Sequence, residues 1–194
     1  MIKKTTSVNT IAAAMFLTTS VSNAAVYVKY DGIDGEVSGP DNSGEWFVAD
    51  SFSFGVEREM KESGEKGGTE DLNIGIGELQ EIVIGKSKDA STVTLAQAAL
   101  TGRGLGPVEV CVTDGDDRSG PQACYLHFVM ERAYVKSWNT SAEADDRPTE
   151  EVAFYYNKIA FSYADSTQSA IRWDNEKNRP WPEGAPSRFN LRGK

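Results

Sequence analysis

Apolar and polar residues alternate in short runs along most of this chain, the period-2 pattern of strands with one buried face. Val26 to Tyr30 is β-branched and aromatic, and stops at Asp31-Gly32 and Asp34-Gly35, residues suited to tight turns. Glu45 to Val56 reads as a second strand, with Phe47, Phe52 and Phe54 supplying its bulk. Glu57 to Glu70 is charged, glycine-rich and without apolar periodicity, and reads as a loop. Leu72, Ile74, Ile76, Ile82 and Ile84 share one parity, as the face of a long strand would, with Gly75 and Gly77 as places for a bulge or bend. Val108 to Val112 and Cys124 to Trp138 pattern as a long hairpin around an acidic loop from Thr113 to Gln122. Val152 to Tyr163 is a strand with bulk on both parities, and Ile171 to Trp173 a last short one.

One segment departs from this period. Leu95, Ala98 and Ala99 recur at helical spacing, Asp89 or Ser91 can cap the start, and Gly102 can end it. Its narrow apolar stripe suits packing on a sheet. Many strands with turn signals and one short helix make the chain mainly β, an antiparallel barrel or sandwich. The bulk on both faces of the Val152 to Tyr163 strand, with Tyr155, Ile159 and Phe161 on the second parity as candidate subunit-interface residues, has a simple reading. One face fills the interior and the other is buried against something else, with a partner subunit as the natural candidate and the helix as a cover for part of it.

The N-terminus changes the picture of where the chain goes. Lys3 and Lys4 precede a short apolar run from Ile11 to Leu17, and Ser22-Asn23-Ala24 offers small residues where signal peptidase cuts. Residues 1–24 therefore read as a secretory signal, with an ordinary N-terminal helix as the alternative. Residues 25–179 form one β domain, and 180–194, with Pro180, Pro182 and Pro186, a C-terminal tail. The expected location is secreted or periplasmic. No stretch approaches the ~20 apolar residues that span a bilayer. The formal net charge is −9, and losing Lys3 and Lys4 makes it more negative still. Such a chain repels nucleic acid and anionic lipid, which excludes both as partners. In an oxidising compartment Cys111 and Cys124 can bridge, closing a loop of about 14 residues worth roughly 3 kcal/mol. Two buried free thiols are the other reading, and the sequence leaves both open.

Candidate chemistry is sparse. His127 is the one histidine, and it sits in a strand pattern rather than beside an evident nucleophile. Cys111, Cys124 and His127 lack the fourth ligand and the spacing of a zinc site. Gly85-Lys86-Ser87 imitates the end of a phosphate loop, but Gln80 stands where that loop needs glycine. Gly102, Gly104 and Gly106 follow a helix where a dinucleotide fingerprint follows a strand. Asp114, Asp116 and Asp117 begin like a calcium loop without its later glycine and glutamate. No catalytic residue, metal ligand or cofactor is nominated, and the chain is not expected to be an enzyme.

Several segments together carry a resemblance. Val28-Lys29-Tyr30-Asp31-Gly32-Ile33-Asp34-Gly35-Glu36 resembles the opening strand and turn of the haemolysin-coregulated protein (Hcp) family, the tube proteins of type VI secretion. Ser51-Phe52-Ser53-Phe54-Gly55-Val56 is similar to its second strand, and Asp89-Ala90-Ser91 through Gly102 to its single helix. Asp146-Arg147-Pro148-Thr149-Glu150-Glu151, Lys158-Ile159 and Tyr163 resemble its late strand, and Trp173-Asp174 and Asn178 fit the end. The resemblance implies an antiparallel β-barrel of two sheets with one flanking helix. It implies a homo-hexameric ring that stacks into a tube, with secretion-apparatus proteins or effector cargo as further partners. Glu57, Arg58, Glu59, Lys61, Glu62, Lys66 and Glu70 correspond to the family's extended loop between rings. A tube protein is built in the cytoplasm, whereas a secretory signal sends a chain across the inner membrane, so the two readings imply different routes. The runner-up is a monomeric exported barrel that serves as a binding module, and a secreted hydrolase comes third.

Overall fold

In a computed structural model of the chain, the described residues are 24–40, 43–62, 72–113, 124–144, 146–163 and 170–181. Along them run β1 (Ala25–Tyr30), β2 (Trp46–Ala49), β3 (Ser51–Ser53), β4 (Val56–Glu62), β5 (Leu72–Leu79) and β6 (Ile82–Ser87). The helix α1 (Ser91–Thr101) follows, then β7 (Val108–Thr113), β8 (Cys124–Ser141), β9 (Thr149–Tyr163), β10 (Ala170–Asp174) and β11 (Arg179–Pro180). The expected secretory signal and the end of the tail lie outside the described residues. Pro180, expected in that tail, pairs with Trp173 in the sheet.

All pairings are antiparallel. One path runs β11-β10-β9-β8-β7-β1-β2, and β6 joins β9 to β3. The single strand read from Glu45 to Val56 is in fact β2 and β3 with a break between them. Asp50, at the break, donates its N–H to the Gly85 carbonyl at 2.7 Å, which turns the chain from β1 toward β6. The nine strands thus form one sheet that bends there into two layers around one core, a sandwich-like open form of the expected barrel with the helix at its flank, while β4 and β5 pair as a separate two-stranded sheet.

The long strand expected from Leu72 to Ile84 is likewise two strands. Gln80 breaks it, its N–H bonded to the Gly55 carbonyl at 2.9 Å. Upstream of that break the chain leaves the barrel, and downstream Ile82 and Ile84 are fully buried in it.

β8 and β9 pair from Leu126 opposite Tyr163 to Ser141 opposite Thr149. Arg132, at φ 52°, divides the pair. On one side Ala133, Val135, Val152, Phe154 and Tyr156 enter the core, and on the other Phe128, Met130 and Ile159 do. The inward parity therefore switches on both strands at the same level. Phe128 and Phe161 stack at 5.4 Å, and Phe52 and Phe54 close around Phe128 at 5.0 and 5.4 Å. Such aromatic contacts add about 0.5–1.5 kcal/mol each beyond the area they bury.

The helix buries Leu95 and Ala98 in the same core. Asp89 caps it from outside, accepting the Ser91 N–H at 2.9 Å. Gly102 ends it at φ 62°, a left-handed conformation that glycine adopts without the Cβ clash.

Candidate functional site

For a chain expected to assemble with itself, the candidate sites are the surfaces it leaves uncovered and the elements that hold them. The first is the β4–β5 hairpin. Residues 57–62, expected as loop, form a strand instead, because they pair with β5: Glu57 faces Glu78 and Arg58 faces Gly77. No apolar period was needed, since the hydrogen-bond ladder and not burial defines this element. The register shifts between Arg58 and Met60, where a Cβ on Gly75 would lie 2.8 Å from the Glu59 carbonyl oxygen. A glycine there permits the bulge. Arg58 Nη1 donates to the Gly75 carbonyl at 3.0 Å, and Gln80 Nε2 to Glu57 Oε2 at 3.0 Å. Val56, Met60 and Ile76 remain 60–66% exposed. Of the nominated loop residues, Glu57, Arg58 and Glu59 are exposed on β4, Lys61 and Glu62 end it, and Lys66 and Glu70 lie outside the described residues.

The nominated partner face on β9 does not form one surface. Tyr155 is 48% exposed and stands opposite Tyr134. Ile159 is fully buried, and Phe161 packs against the core beside Phe54 and Phe128. The parity switch at Arg132 sends residues of equal parity to opposite sides.

The network around Lys86 is a feature that residue-by-residue motif matching passed over. Lys86 continues the inward parity of Ile82 and Ile84, and its side chain is fully buried. Its Nζ lies 2.6 Å from Glu150 Oε1 and 2.7 Å from Asp89 Oδ1, donates to the Ser87 carbonyl, and sits 5.5 Å from the Phe47 ring centroid. Thr92 Oγ1 donates to Glu150 Oε1 at 2.8 Å and Trp138 Nε1 to Glu150 Oε2 at 2.6 Å. The fully buried Glu150 thus accepts at both oxygens. A shallow cleft lined by Asp50, Ser51, Asn139, Thr140 and Glu151 opens beside it. With the cation and both carboxylates engaged, the network ties the start of α1 to β6, β8 and β9 and presents no idle acid or base. The usable signal was Lys86 on the inward parity of a strand: a buried lysine demands a partner.

The remaining polar groups also serve structure. Burial, helped by the Glu81 charge, pushes the Tyr156 hydroxyl far above the ordinary phenol range, and it donates to the Gln80 carbonyl at 2.7 Å. Burial raises Tyr30 too, partly offset by the Leu105 N–H bond, and Tyr30 donates to the Ala133 carbonyl. His127 Nε2 lies 3.4 Å from Glu109 Oε2. Ser162, directly opposite His127, is 4% exposed, and its Oγ makes no hydrogen bond among the described residues. That is not the bonded, accessible serine an acyl-transfer triad requires. Cys111 and Cys124 are joined as a disulfide, with Cα atoms 5.2 Å apart. A register shift between Val112 and Thr113 sets the two diagonally across β7 and β8.

Residues 27–163 match the family described as the type VI secretion system effector Hcp. The chain belongs to the Hcp family. It is a component of type VI secretion, and membership assigns it to an export system. No curated protein sequence matches the chain at a significant level. Among solved structures it is similar to a type six secretion system protein at 23% identity and TM-score 0.67, covering 81% of this chain and 99% of that one. Hcp1 from Salmonella typhimurium has 15% identity and TM-score 0.65, with coverage of 81% and 99%. The Hcp1 protein from E. coli EAEC 042 has 19% identity and TM-score 0.60, with coverage of 78% and 98%. At these identities the neighbours show the fold. They span nearly their whole length on it, while this Hcp-family chain carries about a fifth more. No helix among the described residues is long and apolar enough to cross a membrane.

Proposed function

We propose that this Hcp-family protein is a structural component that assembles with copies of itself into a hexameric ring, with rings stacking through the β4–β5 hairpin. The observation that carries the reading is the hairpin itself. A two-stranded ribbon is marginal alone in water and offers unpaired edges to another chain. This one leaves the barrel with Val56, Met60 and Ile76 uncovered. Tyr134 and Tyr155 supply an outward aromatic pair for lateral contact. In the same reading residues 1–24 are removed, the barrel domain is 25–179, residues 180–194 are a tail, secretion-apparatus proteins or effector cargo are the further partners, and the role is structural rather than catalytic.

The test is the solution mass of the protein expressed from Ala25, by light scattering after size exclusion at moderate salt, which screens the acidic subunits from one another. A mass of six subunits is expected, and Met60→Glu with Ile76→Glu should abolish higher stacks. A single-subunit mass at high concentration overturns the ring and leaves a monomeric exported binding barrel.

A further inference from the structure

The β7–β8 ladder keeps one register from Val108 opposite Met130 to Val112 opposite Leu126, then shifts by one residue, so that Thr113 stands opposite Cys124. Tyr125 is the extra residue of this bulge. The shift changes the side on which Cys124 stands. Val110 and Phe128 face the core and Leu126 packs against it, so in an unbroken ladder Cys124, two residues from Leu126, would point the same way. Cys111, next to Val110 and directly opposite His127, points to the other side. The bulge turns Cys124 over to that side, and there the two residues are bridged, with Cα atoms 5.2 Å apart.

At this end β8 has room to move and β7 does not. β7 is held by β1 from Ala25 opposite Thr113 to Tyr30 opposite Val108, and the fully buried Thr113 donates its hydroxyl to the Ala25 carbonyl at 3.4 Å. The β9 ladder on β8 reaches Leu126, opposite Tyr163, so among the described residues Cys124 and Tyr125 pair with β7 alone. The shifted register leaves Tyr125 out of the ladder, with its ring 6.1 Å from that of Tyr163. The regular register would pair Thr113 with Tyr125 and carry the Cys124 thiol to the side of Leu126, a change that a small, weakly polar side chain tolerates. The bridge forbids it. We propose that the Cys111–Cys124 disulfide is a redox-operated register lock: oxidised, it holds the bulge, and reduced, it lets the end of β8 slip by one residue into the regular ladder.

The chemistry needs a dithiol reductant. Cys111 is fully buried and Cys124 half-buried, so a thiolate of the reductant attacks Cys124 Sγ. The S–S bond breaks, and Cys111 leaves as a thiolate and takes up a proton. The reductant's second thiolate then displaces Cys124, which is protonated in turn, and the reductant closes its own disulfide. Two electrons and two protons pass to the pair. The bulged register is therefore the form of an oxidising compartment, and the regular register the form of a reducing one. The device lies within one subunit and needs no partner.

Disulfide trapping without the native bridge reads the register directly. In the full chain, Cys111→Ala with Thr113→Cys retains Cys124 and traps the shifted register. Cys111→Ala and Cys124→Ala with Thr113→Cys and Tyr125→Cys traps the regular one. On mild oxidation, followed by peptide mass spectrometry, the second chain should bridge roughly ten-fold faster than the first or more. Faster bridging of the first would overturn the proposal, since the bulge would then persist without its lock. Equal rates would overturn it too, by showing an end with no defined register. Should either chain not fold, as judged by circular dichroism, hydrogen exchange of the native chain with and without dithiothreitol decides. Reduction should change protection at Thr113, Cys124 and Tyr125 and leave residues 126–130 protected. No change at those three positions, or loss of protection through 126–130, would overturn the lock.

Discussion

The two halves of the β8–β9 pair, divided at Arg132, share a ladder and differ in almost everything else. Toward Ser141 and Thr149 the inward side ends in the Lys86–Glu150 network, and the outward side carries the exposed Tyr134 and Tyr155. Toward Leu126 and Tyr163 the inward side is the aromatic cluster of Phe128 and Phe161, and the outward side is small, buried and beside a disulfide. The first half is organised around a buried ion pair and keeps bulk outside. The second is stabilised by rings and a covalent bridge and keeps its outer face dry. Strand alternation alone does not decide what an outward residue meets.

The largest effect expected on that contrast is Lys86→Met. It strands Glu150 in the interior and should cost about 3–5 kcal/mol in urea denaturation, whereas Lys86→Met with Glu150→Leu should recover most of it. A single-variant loss under about 1 kcal/mol would mean the ion pair does not organise its half. Next comes the bridge: Cys111→Ala with Cys124→Ala should cost about 3 kcal/mol, and adding it to Lys86→Met should be additive within roughly 0.5 kcal/mol if the halves are independent.

A smaller effect is read in alkali. The Tyr156 pKa is raised in the folded chain, so the neutral phenol contributes stability that is fully present below the ordinary phenol value of about 10. As pH rises above that value the unfolded chain releases its proton first, and the contribution is lost. Tyr156→Phe should flatten the fall in stability above about pH 10 and cost about 1 kcal/mol at neutral pH for the lost bond to Gln80. Smallest for stability is Tyr155→Asp, expected within about 0.5 kcal/mol, since the side chain is half exposed. Its effect should appear as a lower assembled mass, and an unchanged mass would remove the tyrosine row from the subunit contacts.

Much of the fold was legible because it rests on local signals. The period-2 runs marked β1, β7 and β8, and Leu95, Ala98 and Gly102 marked the helix and its end. The residues from Val28 to Glu36 and from Asp146 to Tyr163 pointed to the family that residues 27–163 match. Strands defined by their partner rather than their pattern were not legible. Residues 57–62 look like loop because their neighbour is β5 and not the core.

By itself, then, the sequence determined the β-rich class, the single helix and the family, since propensity, turn chemistry and motif order are properties of neighbouring residues. Only the tertiary structure decided that Tyr155 and Ile159 face opposite ways, that Lys86 finds Glu150 64 residues away, and that the surface around Ala160 is closed. Each of these depends on a bend or a contact between distant segments. A one-residue change of parity at Arg132 is enough to turn an outward row into core, and no alternation read along the chain encodes where that change falls.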